Sequence, residues 1–144
     1  MTYDDLNRLS TSTVTNSAGN GPASQFNYSA VGNITSRTVA GVTSQYSYAD
    51  ASHPYAVTSA TNVGGGTYSA SYDADGNMTT RNGYALTWTV DNLPESIASA
   101  QGNSTFDYGP DGNRYSQSAT FNGATTATAY IGGLFEVVST STTT

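Results

Sequence analysis

The sequence predicts an all-β fold made of consecutive antiparallel β-hairpins of about 21 residues each. Three observations lead there: a recurring motif that begins with an aromatic residue, apolar residues at alternate positions before it, and turn-forming residues after it. The clearest copies are Tyr72–Asn77 (YDADGN) and Tyr108–Asn113 (YGPDGN), which begin 36 residues apart. A repeating unit of this length buries its apolar face against neighbouring copies, so the sequence indicates a repeat array rather than a compact enzyme.

Each copy begins with an aromatic residue, here called the anchor. The residue two positions earlier is apolar or aromatic, as Phe106 is before Tyr108, and this period of two predicts a half-buried strand. Five steps separate the first and last anchors and cover 105 residues (108 − 3), an average of 21 (105/5). The anchors are Tyr3, Tyr28, Tyr48, Tyr72, Trp88 and Tyr108.

A tight turn is predicted immediately after each anchor. Four residues after the anchor, five of the six copies have Gly or Asn, which adopt a positive φ angle at low cost; Ser52 is the exception. A second strand such as Met78–Arg81 follows, so one repeat is one hairpin. Asn82-Gly83 and Asn122-Gly123 predict further two-residue turns between repeats. The predicted repeat-turn residues are Asn7, Gly32, Gly76, Asn92 and Gly112.

The composition predicts a thin, ordered sheet. Hydrophobic residues make up 36% of the chain, below the usual range of about 45–50%, and the core must therefore use Tyr and Thr. Eleven tyrosines accompany four phenylalanines, which suits side chains with one wet end. Disordered chains usually combine high charge with few aromatic residues, whereas only 10% of this chain is charged.

The charge, the cysteine content and the lengths of the apolar runs each exclude a class of function. The net charge is −6 and the four basic residues are all Arg, so we expect no nucleic-acid groove. The chain has no cysteine and therefore no disulfide or thiol chemistry. No apolar run approaches the roughly 18 residues of a membrane-spanning helix, so no membrane span is predicted.

Three groups of residues resemble motifs of the YD-repeat family, also called the Rhs-repeat family. Tyr3–Leu9, Tyr72–Asn77 and Tyr108–Asn113 look like copies of its Y-D-x-x-G-[NR]-[LM] motif. Ser52–Thr58 (SHPYAVT) resembles the H-P-x-A-V-T segment found late in such arrays. Tyr130–Glu136 (YIGGLFE) resembles the Y-[IV]-G-G-L-[YF]-E motif that closes them. The resemblance extends over nearly the whole chain.

The resemblance implies a fold and a role. Repeats of this family form a long sheet that spirals into a hollow shell. In bacterial polymorphic toxins and toxin-complex C components the shell encloses a C-terminal toxin domain, and in animal teneurins a related shell serves adhesion. We therefore expect a structural segment without enzymatic activity, whose partners are the remainder of its parent protein and the enclosed toxin or cargo. We also expect a secreted or cell-surface bacterial protein, exported as part of a longer chain.

The domain prediction follows from the same motifs. Residues 1–136 are predicted to be the repeat array, and residues 137–144 a Ser/Thr-rich tail at which the array is truncated. The self-cleaving core and the toxin of such proteins would lie beyond it.

No catalytic, cofactor-binding or metal-binding residue is predicted. Asp73–Asn77 resembles the start of a calcium loop, but an EF-hand requires Glu at position 12, where this chain has Tyr84. Capping of the turn by Asp is the favoured interpretation, with a weakly held cation as the alternative. His53 is the only histidine and has no Cys or second His to pair with, which favours a turn residue.

Two alternative functions remain open at this level. The chain could be a binding or adhesion module that contacts glycans or proteins through exposed aromatic residues, with Trp88 as the candidate ligand contact. The repeats could also self-associate edge to edge into oligomers or fibres, because Lys, a common protector of sheet edges, is absent.

Overall fold

The computed structural model describes residues 1–13, 15, 16, 19–21 and 23–142. This part of the chain consists of strands and turns and contains no helix, including any that could cross a membrane. In this part of the chain the strands pair antiparallel with their neighbours along the chain, and a separate two-stranded pair is inserted between β2 (Leu9–Ser12) and β5 (Ser24–Tyr28). The prediction of an all-β fold of consecutive antiparallel hairpins is therefore confirmed.

The chain divides into two compact units, Met1–Ala70 and Ser71–Thr144. In the first unit the strands follow one another in the order β1-β2-β5-β6-β7-β8-β9, while β3 and β4 pair separately with each other. Its strands are β1 Thr2–Tyr3, β2 Leu9–Ser12, β3 Thr15–Asn16, β4 Gly19–Asn20, β5 Ser24–Tyr28, β6 Ile34–Val39, β7 Val42–Ser47, β8 Ser59–Val63 and β9 Gly66–Tyr72, whose last two residues belong to the second unit.

In the second unit the strands from β10 to β16 are hydrogen-bonded in chain order. They are β10 Met78–Arg81, β11 Tyr84–Trp88, β12 Pro94–Ser99, β13 Gly102–Tyr108, β14 Arg114–Phe121, β15 Ala124–Ile131 and β16 Phe135–Thr142. Strand β16 therefore includes residues 137–142, which the sequence assigned to a tail; residues 143 and 144 lie outside the described part.

Two-residue turns join several of these strands. Asn82 and Gly83 have φ angles of 47° and 86°, and Arg81 pairs with Tyr84 across them. Asn122-Gly123 makes the corresponding turn between β14 and β15, with φ angles of 49° and 79°. Two successive positive φ angles match the right-handed twist of the flanking strands, and Asn-Gly is the pair that adopts them most easily.

The sheet has a thin core. Along β13, the half-buried Phe106 and Tyr108 alternate with the exposed Thr105 and Asp107, as the period of two predicts. Among the described residues, those that are buried are small: Ala60, Ala70 and Ser36. Because large side chains are only partly covered, much of the stability must come from the strand ladder and from hydrogen bonds between repeats.

Candidate functional site: the repeated turn and its aromatic anchor

Five of the six anchors are the last residue of a strand, and Tyr48 directly follows β7. In four hairpins the register shifts at the anchor, and the anchor then pairs with the residue six positions later. A bulge of this kind inserts an extra residue and increases the local twist, which turns the chain into the following loop. The four pairs are Tyr3 with Leu9, Tyr28 with Ile34, Trp88 with Pro94 and Tyr108 with Arg114.

The five residues after these four anchors and after Tyr72 form one recurring turn. The N–H of its first residue donates to the carbonyl of its fifth, at 2.8–2.9 Å. The N–H of its fourth residue donates back to the carbonyl of its first, at 2.9–3.1 Å. The turns are Asp4–Arg8, Ser29–Asn33, Asp73–Asn77, Thr89–Leu93 and Gly109–Asn113. Five sequences that share little else therefore close with the same backbone bonds.

The fourth residue of each turn has a positive φ angle. Its values are 59° at Asn7, 93° at Gly32, 86° at Gly76, 59° at Asn92 and 74° at Gly112. The asparagines lie closer to the left-handed helical region that Asn tolerates, whereas the glycines occupy wider angles at which a Cβ is more strained. The Gly or Asn four residues after the anchor is thus required by the backbone of the turn.

The first residue of four turns contributes a side-chain oxygen that accepts from the N–H of the fifth residue. The distances are 2.9 Å in the turns of Asp4 and Asp73 and 3.2 Å in those of Ser29 and Thr89. Asp, Ser and Thr each carry a side-chain oxygen one or two bonds from Cβ, so any of them can cap the turn. The sequence analysis did not identify Ser29 and Thr89 as turn caps, although both residues align with Asp4 and Asp73 in the repeat.

In the last turn, Gly109–Asn113, a different residue caps the N–H of the fifth residue. Its first residue is Gly109, and the side chain of Asp111 takes over, accepting from the N–H of Asn113 at 3.0 Å. A Cβ on Gly109 would lie 2.9 Å from Asp111 Oδ1, closer than real Cβ contacts. Gly109 therefore makes room for the carboxylate that replaces its own missing side chain.

Hydrogen bonding to these carboxylates favours their charged form. The backbone N–H of Arg8 is the main cause of a lowered pKa at Asp4, and the side-chain amide of Asn113 is the main cause at Asp111. At Asp73, partial desolvation raises the pKa, but the hydrogen bonds from the backbone and side chain of Asn77 and from other turn amides outweigh it, and the net pKa is lowered. These carboxylates are charged turn caps at neutral pH.

The polar end of an anchor bonds to the preceding hairpin. The Tyr28 hydroxyl donates to the Leu9 carbonyl at 2.9 Å, and the Tyr48 hydroxyl donates to the Ile34 carbonyl at 3.0 Å. In each case the acceptor stands six residues after the previous anchor, so the same contact couples consecutive repeats.

Trp88 makes the equivalent contact through its indole ring. Its Nε1–H donates to the carbonyl of Met78, six residues after Tyr72, at 2.8 Å. The half-buried indole therefore occupies an anchor position and uses its only hydrogen-bond donor within the array. This is where the structure places the residue that the sequence marked as a candidate ligand contact.

Neighbouring turns are also bonded to each other. Arg8 donates from Nε to Asp4 of its own turn at 2.7 Å and from a terminal nitrogen to the Ser29 carbonyl at 3.1 Å, with its guanidinium 4.6 Å from the Tyr28 ring centroid. Further along, Asn77 Nδ2 donates to Asn92 Oδ1 at 2.6 Å. Ion pairs near the surface contribute little to the free energy of folding. The main effect of these contacts is therefore to fix the spacing between neighbouring turns.

The copy that begins at Tyr48 has a different loop. Here Asp50, the second residue after the anchor, provides the acceptor: its Oδ1 accepts a hydrogen bond from the N–H of Ser52 at 2.9 Å. Its Oδ2 lies 2.9 Å from His53 Nδ1. The His53 side chain is the main cause of a lowered pKa at Asp50. The loop is tied to the preceding turn by Asn33 Nδ2, which donates to the Pro54 carbonyl at 2.6 Å. Ser52 is thus the fourth residue of a longer loop that still docks on its neighbour.

Within the described residues, no three His, Asp or Glu side chains gather into a group that could hold a metal ion. In the Asp73 turn, both carboxylate oxygens accept protein hydrogen bonds, from the backbone of Asp75 and Asn77 and from the Asn77 side chain. The turns are closed by their own hydrogen bonds, and further hydrogen bonds join consecutive repeats. The interactions at this site therefore hold the repeats together.

The chain was compared with known families, sequences and structures. No protein-family description and no curated protein sequence matches the chain. Among solved structures, the chain is similar to one described as the crystal structure of TcdB2-TccC3 without its hypervariable C-terminal region, with 14% sequence identity and a TM-score of 0.43. The match covers 99% of this chain and 11% of that one, so the chain spans about a ninth of the protein it matches.

Proposed function

We propose that this chain is a structural segment of a β-sheet wall that encloses a toxin or cargo domain. The observation that carries the proposal is the recurring bond from an anchor to the carbonyl six residues after the previous anchor, seen for Tyr28, Tyr48 and Trp88. In these three cases an anchor completes the hydrogen bonding of the repeat before it. Such an array can extend to any length as a continuous sheet, which is what a barrier to proteases and solvent requires.

The identity of the cargo and the location of the protein rest on the motif resemblance. The YD-like turns and the Tyr130–Glu136 motif support a place late in an Rhs-type array, and hence a secreted bacterial protein whose parent chain encloses a toxin. We further propose that this segment has no catalytic activity and acts only by steric exclusion.

The test uses the full parent protein, identified by reading the complete open reading frame. We expect further repeats and a distinct enclosed domain that resists trypsin in the intact protein. Replacing Tyr28, Tyr48 and Trp88 together by Ala should expose that domain to digestion. Replacing the exposed Tyr55 and Tyr115 by Ala is the matched control and should leave it protected. An enclosed domain digested equally fast in all three proteins, or a reading frame without further repeats, would refute the proposal.

Self-association is a second candidate, favoured by the exposure of strand β16. Every residue of β16 is exposed, including Phe135 at 69% and Val137 and Val138 at 57% each, and the described residues place only β15 beside it. A long uncovered edge without Lys or Pro is a template for another strand. Light scattering at high concentration should give a mass above that of the monomer and a return to monomer in Val138→Lys; a monomeric wild-type protein would exclude it.

A further inference from the structure

The last repeated turn borders a pocket in the second unit. The pocket has a volume of about 450 Å³ and is lined both by the turn Gly109–Asn113 and by the loop between β15 and β16. Its lining also includes Arg114, whose guanidinium is the only positively charged group among the lining residues. A negatively charged ligand would find its counterion there.

The loop between β15 and β16 is shorter than the repeated turns. Ile131 pairs with Phe135, so three residues separate the two strands, whereas five residues separate Tyr108 from its partner Arg114. A Cβ added at either residue of Gly132-Gly133 would meet no atom within 4 Å. The short loop therefore leaves open space beside the neighbouring turn, and this space is the pocket.

The Arg114 side chain is held in place by aromatic neighbours. Its guanidinium carbon lies 5.4 Å from the ring centroid of Phe106 and 4.8 Å from that of Tyr130. A terminal nitrogen donates to the Tyr130 hydroxyl at 3.2 Å, and that hydroxyl donates in turn to Gln117 Oε1 at 3.3 Å. The bond to Tyr130 uses one of the five N–H donors of the guanidinium, so the others are available to a ligand.

The first turn shows the partner that an arginine beside a repeated turn finds within the chain. Arg8 ends that turn, and its Nε donates to the carboxylate of Asp4, the first residue of the turn, at 2.7 Å. Arg114 directly follows the last turn, whose first residue is Gly109 and has no side chain. The last turn therefore lacks the carboxylate that would pair with its arginine.

Asp111 does not replace that carboxylate. Its two oxygens accept hydrogen bonds from the backbone and side-chain amides of Asn113, at 3.0 and 2.7 Å. Among the described residues, no carboxylate oxygen lies within 4.0 Å of a nitrogen of Arg114. The guanidinium is thus fixed in position by rings and a hydroxyl, but it has no anionic partner in the described part of the chain.

The charges around the pocket favour a single carboxylate as the ligand group. A carboxylate accepts two parallel hydrogen bonds from the edge of a guanidinium. The charged Asp111 lines the same pocket, so a dianion such as phosphate would be repelled more strongly than a monoanion. The Tyr115 hydroxyl adds a hydrogen-bonding group, and the glycine loop exposes backbone that a peptide can approach closely. These features match an acidic side chain presented by a peptide.

We propose that the pocket beside Arg114 binds the carboxylate of an acidic side chain in a partner polypeptide. The guanidinium supplies the charge-assisted hydrogen bonds, and Phe106 and Tyr130 fix its orientation before the ligand arrives. The anchor bonds that carry the wall proposal take no part in this site, so the inference does not rest on the proposed wall function.

The test is a titration of the purified chain with the tripeptide Gly-Glu-Gly, acetylated and amidated so that its side chain carries the only charge. NMR shifts of the Gly132 and Gly133 amides report binding, and the tripeptide Gly-Gln-Gly is the uncharged control. Arg114→Gln should weaken binding by about tenfold or more, as expected for hydrogen bonds to a charged group. Arg37→Gln is the matched control, because it removes an exposed arginine that lies 5.9 Å from the Phe26 ring and outside the pocket.

Binding of the Glu peptide that Arg114→Gln weakens and Arg37→Gln does not, with no shift from the Gln peptide, supports the site whether or not the wall proposal survives. The proposal is overturned if the Glu peptide gives no shift, if the Gln peptide binds equally, if Arg37→Gln weakens binding as much, or if inorganic phosphate binds more tightly than the Glu peptide. If Arg114→Gln fails to give the wild-type circular dichroism spectrum, Arg114→Lys takes its place. That variant keeps the positive charge but cannot form the bidentate pair, so binding should still weaken several-fold, and unchanged binding overturns the proposal.

Discussion

The hydroxyl of Tyr48 offers the sharpest test of how the repeats hold together. It donates to the Ile34 carbonyl at 3.0 Å, and partial burial raises the pKa of this phenol. The loop that follows Tyr48 departs from the usual turn, yet the contact with the preceding hairpin is retained. If this bond couples the repeats, Tyr48→Phe must destabilise the protein although it leaves the ring in place.

The magnitude follows from the burial of the pair. A hydrogen bond between neutral groups contributes a net of about 0.5–1.5 kcal/mol, and more when the acceptor is left without a substitute. Tyr48 and Ile34 are both half-buried, so water can partly replace the lost hydroxyl, and we expect a loss of about 1 kcal/mol in the free energy of unfolding. For a chain of this length, that corresponds to a decrease in Tm of roughly 4 °C.

The assay compares urea unfolding of the wild type, Tyr48→Phe and Tyr55→Phe by circular dichroism. Tyr55 is 71% exposed, so removing its hydroxyl should leave the midpoint almost unchanged. Tyr28→Phe, which removes the bond to the Leu9 carbonyl at 2.9 Å, should reproduce the effect of Tyr48→Phe. If both anchor variants unfold at the same urea concentration as Tyr55→Phe, the anchor hydroxyls do not couple the repeats and the reasoning is refuted.

Three further predictions concern the turns and the sheet. Because the pKa of Asp73 is lowered by folding, its ionised carboxylate stabilises the protein above the unfolded pKa, near 3.8, and this stabilisation is lost as the pH falls through the lower pKa of the folded state. The Tm of Asp73→Asn should therefore vary less with pH than that of the wild type between pH 6 and pH 2. Gly76→Ala should cost about 1 kcal/mol because its φ of 86° strains any L side chain, whereas Asn92→Gly, at 59°, should change the urea midpoint little. Gly102→Ala should lower the Tm more than Gly76→Ala, since its Cβ would collide with the Thr120 carbonyl; equal Tm values for the two variants would contradict the close approach seen here.

Much of the fold could be predicted from the residues because its information is local. The period of two before each anchor, the Gly or Asn four residues after it, and the Asn82-Gly83 and Asn122-Gly123 pairs each constrain only a few neighbouring φ and ψ angles. A hairpin brings together residues that are close in the chain, so local signals suffice to predict which strands pair. The same locality explains the confirmed order of consecutive antiparallel hairpins.

The roles of individual side chains were less accessible to sequence reasoning. Ser29 and Thr89 cap turns as Asp73 does, but the shared feature is the position of one oxygen and not the residue type. Arg8 bonds to Asp4 of its own turn, a pairing that its position in the sequence did not reveal. Such choices depend on side-chain rotamers and on the distance between turns.

By itself, the sequence determined the class of the fold, the repeating hairpin and the positive φ angles of the repeat turns and of the two Asn-Gly pairs, because each of these is set by a few adjacent residues. Only the tertiary structure decided what the anchors contact. The bonds from Tyr28 to Leu9, from Tyr48 to Ile34 and from Trp88 to Met78 each join an anchor to the repeat that begins at the previous anchor, so no single repeat contains them. They exist because the stacking of hairpins brings the end of one aromatic side chain to a backbone carbonyl of the hairpin before it.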